Sequence, residues 1–411
     1  MEDSHLYKRE VYVGNFIQPL RHRTPAYNSV RNILQMYRLT GCCPIDGLWH
    51  RRLEDLKTRF RVYGLYSCAC ILLAICTVVE AILDSGSRRN LEAKSNIFNS
   101  VIFAIQSTVN FGIMMSRGPH FVLLLRQCAM FESRRPAPRN LVRKLKLLIV
   151  ATVIYFLVFF TPLVSRRIYR TLLAHGVLEF LLRFSVTIGA LYHLFWSTVT
   201  GTMLVIVAHL LKGYLEEVIK DIRAHEATMT RSRLEHQWAF LHKIRRDTRD
   251  IKAMVQTANE AIQLGVLVTY GSAMACSCFC AFYIITTESS LELLMKVMAI
   301  GYVVHALLMI AFVTHSSQAL TDKGRELKES MQTIGNQKLP RKVARSLLTF
   351  QLCFDVDGFS FNACGFFTVE LSIIQAMVGV VLTYTLVLLQ TKLSGVSVHS
   401  KECSRMDNVT A

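Results

Sequence analysis

GFFTVELSIIQAMVGVVLTYTLVLLQ, residues 365 to 390, is the last long apolar stretch of the chain. A helix needs about 20 mostly apolar residues to cross a bilayer, and this stretch is long enough. Thr383-Tyr384 lies near its end and is followed by five mostly apolar residues and then Gln390. A helix that only anchors a protein in lipid needs no such polar pattern. The stretch therefore predicts a membrane helix with a further role.

Six earlier segments are also long and apolar enough to cross a membrane, in a chain with 52% hydrophobic residues. We therefore predict an all-α membrane protein with seven transmembrane helices. The second segment is interrupted by four polar residues, which we expect to face other helices or a cavity rather than lipid: Asn99, Gln106, Thr108 and Asn110. The seven segments are residues 62–83, 97–115, 147–164, 186–211, 262–286, 294–315 and 366–390.

The basic residues predict the orientation of these helices. Of the 47 Lys and Arg residues, 35 lie in the N-terminal arm and in the second, fourth and sixth loops. Only 9 lie in the odd-numbered loops and the C-terminal tail. Short cytoplasmic loops collect Lys and Arg. We therefore expect a cytoplasmic N-terminus and an extracellular C-terminus. Residues 1–59 are polar and basic, so we expect no signal peptide, with the first membrane helix directing insertion.

The segments and loops divide the chain into seven predicted regions. They are a cytoplasmic N-terminal arm (1–59), transmembrane helices 1–4 (60–211), a cytoplasmic helical loop (212–261), transmembrane helices 5–6 (262–315), cytoplasmic anchor helices (316–365), a pore-lining helix 7 (366–390) and an extracellular tail (391–411).

Apolar residues in the fourth and sixth loops recur at helical spacing, which predicts amphipathic helices. These helices could pack only on each other, or they could extend the membrane helices as a cytoplasmic layer that contacts neighbouring subunits. We favour the layer because the pattern occurs in both loops. The stripes are Leu215, Ile219 and Ile222; Leu234, Trp238 and Leu241; Ile251, Val255, Ala258 and Ile262; and Leu320, Leu327, Met331 and Ile334.

Composition also bears on the partners. The net charge of +18 would suggest nucleic acid in a soluble protein, but here the charge lies in loops beside membrane helices. We therefore expect anionic inner-leaflet lipid and no nucleic acid. Cys276, Cys278 and Cys280 lie at alternate positions, yet on a helix Cys278 would point away from the other two, so we expect no metal site. The chain shows no enzyme-like constellation, and we expect neither catalysis nor a cofactor.

Thr383-Tyr384, the five following residues and Gln390 resemble the last-helix motif of insect gustatory receptors, written TY, five hydrophobics, Q, F. Two positions depart from it: Thr391 replaces the Phe, and Thr385 is the first of the five hydrophobics. The resemblance implies a tastant-gated, non-selective cation channel, formed as a tetramer of this chain or of related receptors. It also implies the plasma membrane of sensory neurons, in dendrites and in some cases axons.

Four residues of the last segment fall on one helical face in the order hydroxyl, aliphatic, amide: Thr383, Leu386, Val387 and Gln390. Apolar side chains can close a conduit by excluding water, and an amide at its mouth can coordinate hydrated ions. The resemblance implies that Gln390 and Leu386 or Val387 line the pore and contact permeant cations. The alternative is an interfacial Gln390 on a lipid-facing helix.

Two further residues of this region have predicted structural roles. Tyr384 points to another face, where we expect its hydroxyl to bind a neighbouring helix. Glu370 lies at the inner end of the segment, and we expect it to form a structural ion pair.

A tastant pocket should be apolar and aromatic with a few polar groups. The outer halves of helices two to six supply such residues, of which we expect at most half to contact ligand. They are short of carboxylates, which favours bitter or other apolar tastants over sugars. The candidates are Phe103, Gln106, Tyr155, Phe159, Arg183, Tyr192, Phe282, Tyr283, Tyr302 and His305.

Three other functions remain open. A G-protein-coupled receptor has no pore, and both the charge count and the lack of an Asp-Arg-Tyr triplet oppose it. A secondary transporter should show matching Gly- or Pro-broken helices in two halves, and we find none in the sequence. An insect odorant receptor channel would share the fold and ion conduction but bind volatiles; Gly365-Phe366-Phe367 before the last helix favours taste.

Overall fold

The computed structural model describes residues 25–46, 56–58, 61–86, 91–173, 176–229, 233–286, 293–336 and 339–407, and helices dominate them. The helices are α1 (Pro25–Leu39), α2 (Arg61–Gly86), α3 (Leu91–Ser116), α4 (Gly118–Arg134), α5 (Arg139–Leu172), α6 (Val177–Met229), α7 (Leu234–Thr286), α8 (Leu293–Gly335), α9 (Arg341–Leu352) and α10 (Leu371–Asp407). Strands β1 (Ile45–Asp46) and β2 (Lys57–Thr58) pair antiparallel, and a 3-10 turn covers Asp357–Phe359.

The first six predicted membrane segments each lie within one helix, α2, α3, α5, α6, α7 or α8, and residues 371–390 of the seventh lie in α10, so the all-α fold is confirmed. Length and hydropathy together mark three of the described stretches as spans, Val177–Glu226, Leu234–Ile284 and Ala299–Gly335. Two further apolar stretches, Tyr63–Val79 and Leu371–Val387, are shorter.

Helices α6, α7 and α8 are much longer than a bilayer is thick. Helices α6 and α7 have 53 residues each, and α8 has 43. At a rise of about 1.5 Å per residue, 53 residues span about 80 Å, whereas the hydrocarbon core is about 30 Å thick. These helices therefore extend well beyond a bilayer and continue through the loops in which amphipathic helices were predicted.

The predicted apolar stripes form the core of this layer. Nearly all of their residues are buried, including Leu215, Ile251 and Leu320. Trp238 is half-buried, and Leu234 is 44% exposed because it begins α7. The periodicity thus predicted the buried face correctly except at the end of one helix.

Ion pairs tie the layer together between helices. Arg135, just after α4, binds Asp221 of α6 at 2.8 Å and Asp247 of α7 at 3.0 Å. Lys243 of α7 also binds Asp221, at 3.0 Å. Asp247 is buried, and removing one partner of a buried ion pair costs about 3–5 kcal/mol. These contacts hold α4, α6 and α7 in fixed relative positions.

The last apolar segment begins as a hairpin rather than as a helix, which corrects the predicted start of the pore helix at residue 366. Residues 361–369 fold back on themselves, and the N–H of Val369 donates to the carbonyl of Phe361 at 2.8 Å. At the tip, Cys364 and Gly365 both have positive φ, 53° and 77°. This pair of angles is typical of a type I′ turn, so the helix starts only at Leu371.

Candidate functional site

A small cavity lies where α3, α6, α7 and α8 meet. It has a volume of about 20 Å³, and a single buried water needs at least about 10–15 Å³. Binding of a larger molecule would therefore require these helices to move apart. The lining residues are Ile102, Gln106, Ser197, Thr198, Thr269, Ser272, Ala273, Cys276, His305, Ala306 and Met309.

Polar residues of α3 hold this side of the cavity to α6. The Gln106 amide donates to the carbonyl of Ser197 at 2.8 Å, and the Asn110 amide donates to the carbonyl of Trp196 at 3.0 Å. The hydroxyl of Thr200 donates to the Asn110 amide oxygen at 2.8 Å. These contacts confirm that the polar interruptions at Gln106 and Asn110 face another helix, and they fix Gln106 at the cavity wall.

A second contact joins α5 to α8 beside the cavity. The Tyr155 hydroxyl forms a hydrogen bond with Nδ1 of His305, and the two rings stack with centroids 5.8 Å apart. His305 is buried and lines the cavity. Gln106, Tyr155 and His305, three of the sequence-predicted ligand candidates, thus lie around one site.

Two other candidates lie on α6 away from this cavity. Tyr192 stacks on Trp196 with ring centroids 5.7 Å apart. Arg183 forms an ion pair with Glu179 one turn earlier on the same helix. Neither residue lines the small cavity, so their roles as ligand contacts stay predictions.

Three of the remaining candidates lie towards one end of α7 and α8. Tyr283 is buried in a small cluster with Cys276, Cys280 and Ala299, against which Tyr302 packs. Phe282 is half-buried on α7. Phe103 and Phe159 belong to α3 and α5, but their side chains fall outside the described part of the structure.

The sequence-based prediction missed the small polar residues that line the cavity. Ser197, Thr198, Thr269 and Ser272 contribute hydroxyl groups from α6 and α7. In the sequence they are isolated hydroxyls within apolar helices, where they resemble ordinary packing residues. Only the crossing of the helices brings them together.

A larger cavity lies between α2, α3 and α6 and contains none of the ligand candidates. Its volume is about 230 Å³ and its walls are mostly apolar, with Ile71, Phe111 and Trp196 among them. The one imidazole there, His193, donates from Nε2 to the carbonyl of Ala74 at 2.9 Å. Its Nδ1 forms a hydrogen bond with the Ser107 hydroxyl.

The predicted pore stripe lies on the outer surface of α10. Leu386 and Val387 are 59% and 50% exposed, and Thr383 and Gln390 are also exposed. On another face of the helix, Thr385 is buried and its hydroxyl donates to the carbonyl of Val381 at 2.7 Å. Because α10 packs against α7 and α8, the stripe faces away from the core of its own chain.

Among the described residues, Tyr384 and Glu370 do not form the contacts that were predicted for them, a hydroxyl bond to a neighbouring helix and an ion pair. Tyr384 is exposed, and within the described part of the chain its hydroxyl does not bind a neighbouring helix. Glu370 directly precedes α10, and its carbonyl accepts the N–H of Ile373 at 3.1 Å. None of the ion pairs among the described residues includes Glu370. The positive end of the helix dipole accounts for a carboxylate there without an ion-pair partner.

The sequence and the fold both resemble those of known chemosensory receptors. A model of the 7tm chemosensory receptor family matches residues 119–395. The fold is similar to the insect olfactory receptor OR5 from Machilis hrabei in complex with eugenol, with a TM-score of 0.64 and 14% identity over 89% of this chain and 99% of that one. A second structure of that receptor gives a TM-score of 0.62 and 15% identity over the same shares. A search of curated proteins gave no sequence match.

The matched region of the family model extends from α4 to the part of α10 that carries the pore stripe. It therefore includes four of the seven predicted membrane helices in full, α5 to α8, together with the hairpin and the last helix up to residue 395. Since this is well over half of the chain, the chain belongs to the 7tm chemosensory receptor family.

Proposed function

We propose that this chain is a gustatory receptor that acts as a tastant-gated, non-selective cation channel in the plasma membrane of insect chemosensory neurons. The observation that carries the proposal is the outward-facing stripe of Thr383, Leu386, Val387 and Gln390 on α10. A single α10 cannot enclose a conduit. Several copies arranged around an axis can, if each presents this stripe to the others.

The chemistry of the stripe suits such a conduit. Leu386 and Val387 would form an apolar constriction that closes by excluding water, and Gln390 would coordinate partly hydrated cations at the mouth. Leu386 and Val387 are exposed beside the Gln390 amide in one copy of the chain. A tetramer of this chain, or of this chain with related receptors, would cover them.

The cavity at Gln106 and His305 is the site we propose for the tastant. A ligand opens a channel only if it binds the open state more tightly than the closed one. Since the cavity holds little more than a water molecule in this conformation, the bound state must be one in which the surrounding helices are further apart. Among the described residues that line the cavity none carries a carboxylate, which favours bitter or other apolar tastants over sugars.

Localisation and lipid contacts follow from the same proposal. The basic excess predicted for the cytoplasmic loops would contact anionic lipid of the inner leaflet. The sensory neuron, with its dendrites and in some cases its axon, is proposed from the resemblance to gustatory receptors.

An odorant receptor channel is the second candidate. Its support is the fold shared with an olfactory receptor, which at 14% identity concerns the fold alone. The two candidates differ in the ligand and agree on the pore. In a G-protein-coupled receptor or a transporter, the exposed stripe of α10 would contact lipid and line no pore.

The test is patch-clamp recording from cells that express the chain, with a panel of bitter compounds, sugars and volatile odorants. Currents carried by Na⁺ and K⁺ in response to bitter compounds, altered by Gln390→Ala, would support the proposal. Responses to volatiles alone would favour the odorant channel. Surface expression with saturable uptake and no current would overturn the channel proposal.

A further inference from the structure

One face of α7 runs along the segment that leads into the pore helix. Lys252, Asn259 and Tyr270 are separated by seven and eleven positions. At about 100° per residue they fall within about 20° of one line, about 27 Å long. Residues 355–367, which precede α10, follow this line.

Two side chains of α7 attach the segment before its hairpin. Lys252 binds Asp355 at 2.8 Å. The Asn259 amide donates from Nδ2 to the carbonyl of Ser360 at 3.0 Å, and its Oδ1 accepts the N–H of Asn362 at 3.1 Å. Both partners of Asn259 are backbone groups, so this one amide fixes the path of the chain as it enters the hairpin.

The base of the hairpin is packed against the protein interior. Phe361 and Val369, which pair across it, are fully buried. Phe367 packs on Tyr270 with ring centroids 5.4 Å apart. The hydroxyl of Thr314 on α8 donates to the carbonyl of Ile310, so the Tyr270 hydroxyl is the donor in its 2.6 Å contact with Thr314. The hairpin therefore packs on α7 at Tyr270, and Tyr270 in turn bonds to α8.

We propose that Asn259 is a positioning residue: by latching residues 361–369 to α7, it holds the inner end of α10 where the pore is closed. This inference rests on the proposed channel function. Leu371 and Val387 are 16 residues apart, about 24 Å along the helix. A tilt of about 5° at the inner end would therefore move Val387 by about 2 Å. Loosening the latch should let the apolar constriction widen and admit water.

The test compares Asn259→Leu with Asn259→Asp and with a matched control, Gln256→Leu. Asn259→Leu removes both hydrogen bonds at similar volume, and Asn259→Asp keeps only the acceptor. Gln256 is an exposed amide on the same helix, and among the described residues its side chain forms a hydrogen bond only with Glu260 of α7, at 3.1 Å, so its replacement should change neither readout. Each full-length variant is purified and reconstituted into liposomes.

Two measurements are made on each variant. A nitroxide on Cys364, at the exposed tip of the hairpin, reports local mobility after four other accessible cysteines, Cys68, Cys76, Cys278 and Cys353, are replaced by Ser. Cys403, in the predicted extracellular tail, is replaced as well. Sodium leak from the liposomes, measured without ligand, reports opening. We expect Asn259→Leu to raise both nitroxide mobility and leak, the leak by at least about fivefold, with Asn259→Asp between it and wild type.

Unchanged nitroxide mobility in Asn259→Leu would overturn the latch. Higher mobility with an unchanged leak would show that the latch does not hold the pore closed, and would overturn the proposal in that respect. A pore variant, Leu386→Ser, serves as the positive control for leak. If that variant also fails to leak, the channel function fails instead, and the mobility measurement alone decides whether Asn259 positions the hairpin.

Discussion

Tyr155 of α5 and His305 of α8 are joined by a hydrogen bond and by stacked rings 5.8 Å apart. His305 of this pair lines one side of the small cavity, and Gln106, bonded to α6, lines another. A ligand that separates these helices must compete with the contact. The pair is therefore a point at which binding and helix movement are linked in the proposed receptor.

Replacing Tyr155 by Phe should increase sensitivity to the tastant found in the panel. The change removes the hydrogen bond to His305 but keeps the stacked ring, and one such bond contributes about 0.5–1.5 kcal/mol. Since the ligand no longer has to break this bond, the concentration that gives a half-maximal current should fall by about 2- to 10-fold.

The control for Tyr155→Phe is Tyr169→Phe. Tyr169 lies on the same helix, 14 residues or about 21 Å further along it than Tyr155, and its side chain is largely exposed. It should leave the concentration response unchanged. The prediction is wrong if the half-maximal concentration changes equally in both variants, or does not change in Tyr155→Phe at normal surface level. The Tyr155–His305 contact would then play no part in the response to ligand.

Local periodicity explains which parts of the fold were predictable. Leu215, Ile219 and Ile222 were expected on a buried face because their spacing follows the helical repeat, and all three are buried. The hairpin at residues 361–369 was missed for the opposite reason. Phe366 and Phe367 are apolar, as the first residues of a membrane helix would be, so they give no sign of a turn. Cys364 is not a residue type that predicts the positive φ it adopts.

The cavity was only partly predictable from the sequence. His305 and Gln106 attracted attention as polar groups in membrane segments, where such groups are costly. Thr269 and Ser272 did not, because a hydroxyl in an apolar helix commonly bonds to its own backbone, as Thr269 does to the carbonyl of Gly265 at 2.7 Å. Which hydroxyls face a cavity depends on helix crossings that are not encoded locally.

Changes in the pore stripe should separate selectivity from closure. Gln390→Ala and Gln390→Glu should alter cation selectivity or conductance while surface expression stays close to wild type, because an exposed amide contributes little to packing. Leu386→Ser and Val387→Ser should raise the ligand-independent current, since a wettable constriction no longer excludes water. Reversal potentials and basal currents in the same cells provide the measurements.

Val378→Ser is the matched control for the stripe. Val378 is exposed on α10 to a similar extent but lies about 140° around the helix from Thr383. Its replacement should leave basal current unchanged. If all stripe variants have wild-type reversal potentials and basal currents at normal surface levels, this face of α10 contacts lipid or protein instead of a pore. The channel proposal is then wrong for this chain.

The charge distribution predicts that an epitope placed after Ala411 is labelled on intact cells and that one placed before Met1 is not. The sequon Asn408-Val409-Thr410 would then be extracellular; it falls outside the described residues. Labelling of an N-terminal epitope without permeabilisation would reverse the predicted orientation, and with it the assignment of Gln390 to the outer mouth.

Two glycines near the pore helix should respond to alanine in opposite directions. Gly365 has a φ of 77° at the hairpin tip, and an L-residue in this left-handed region costs about 1–2 kcal/mol. Gly379 lies within α10 with open space where a Cβ would be, and Gly costs about 0.8–1.0 kcal/mol relative to Ala inside a helix. Gly365→Ala should therefore lower the thermal unfolding temperature of the purified protein, and Gly379→Ala should raise it. Two shifts of the same sign would contradict either the turn at Gly365 or the open helix surface at Gly379, and a Gly365→Asn variant decides between them, because Asn tolerates positive φ and should restore most of the loss if the turn is present.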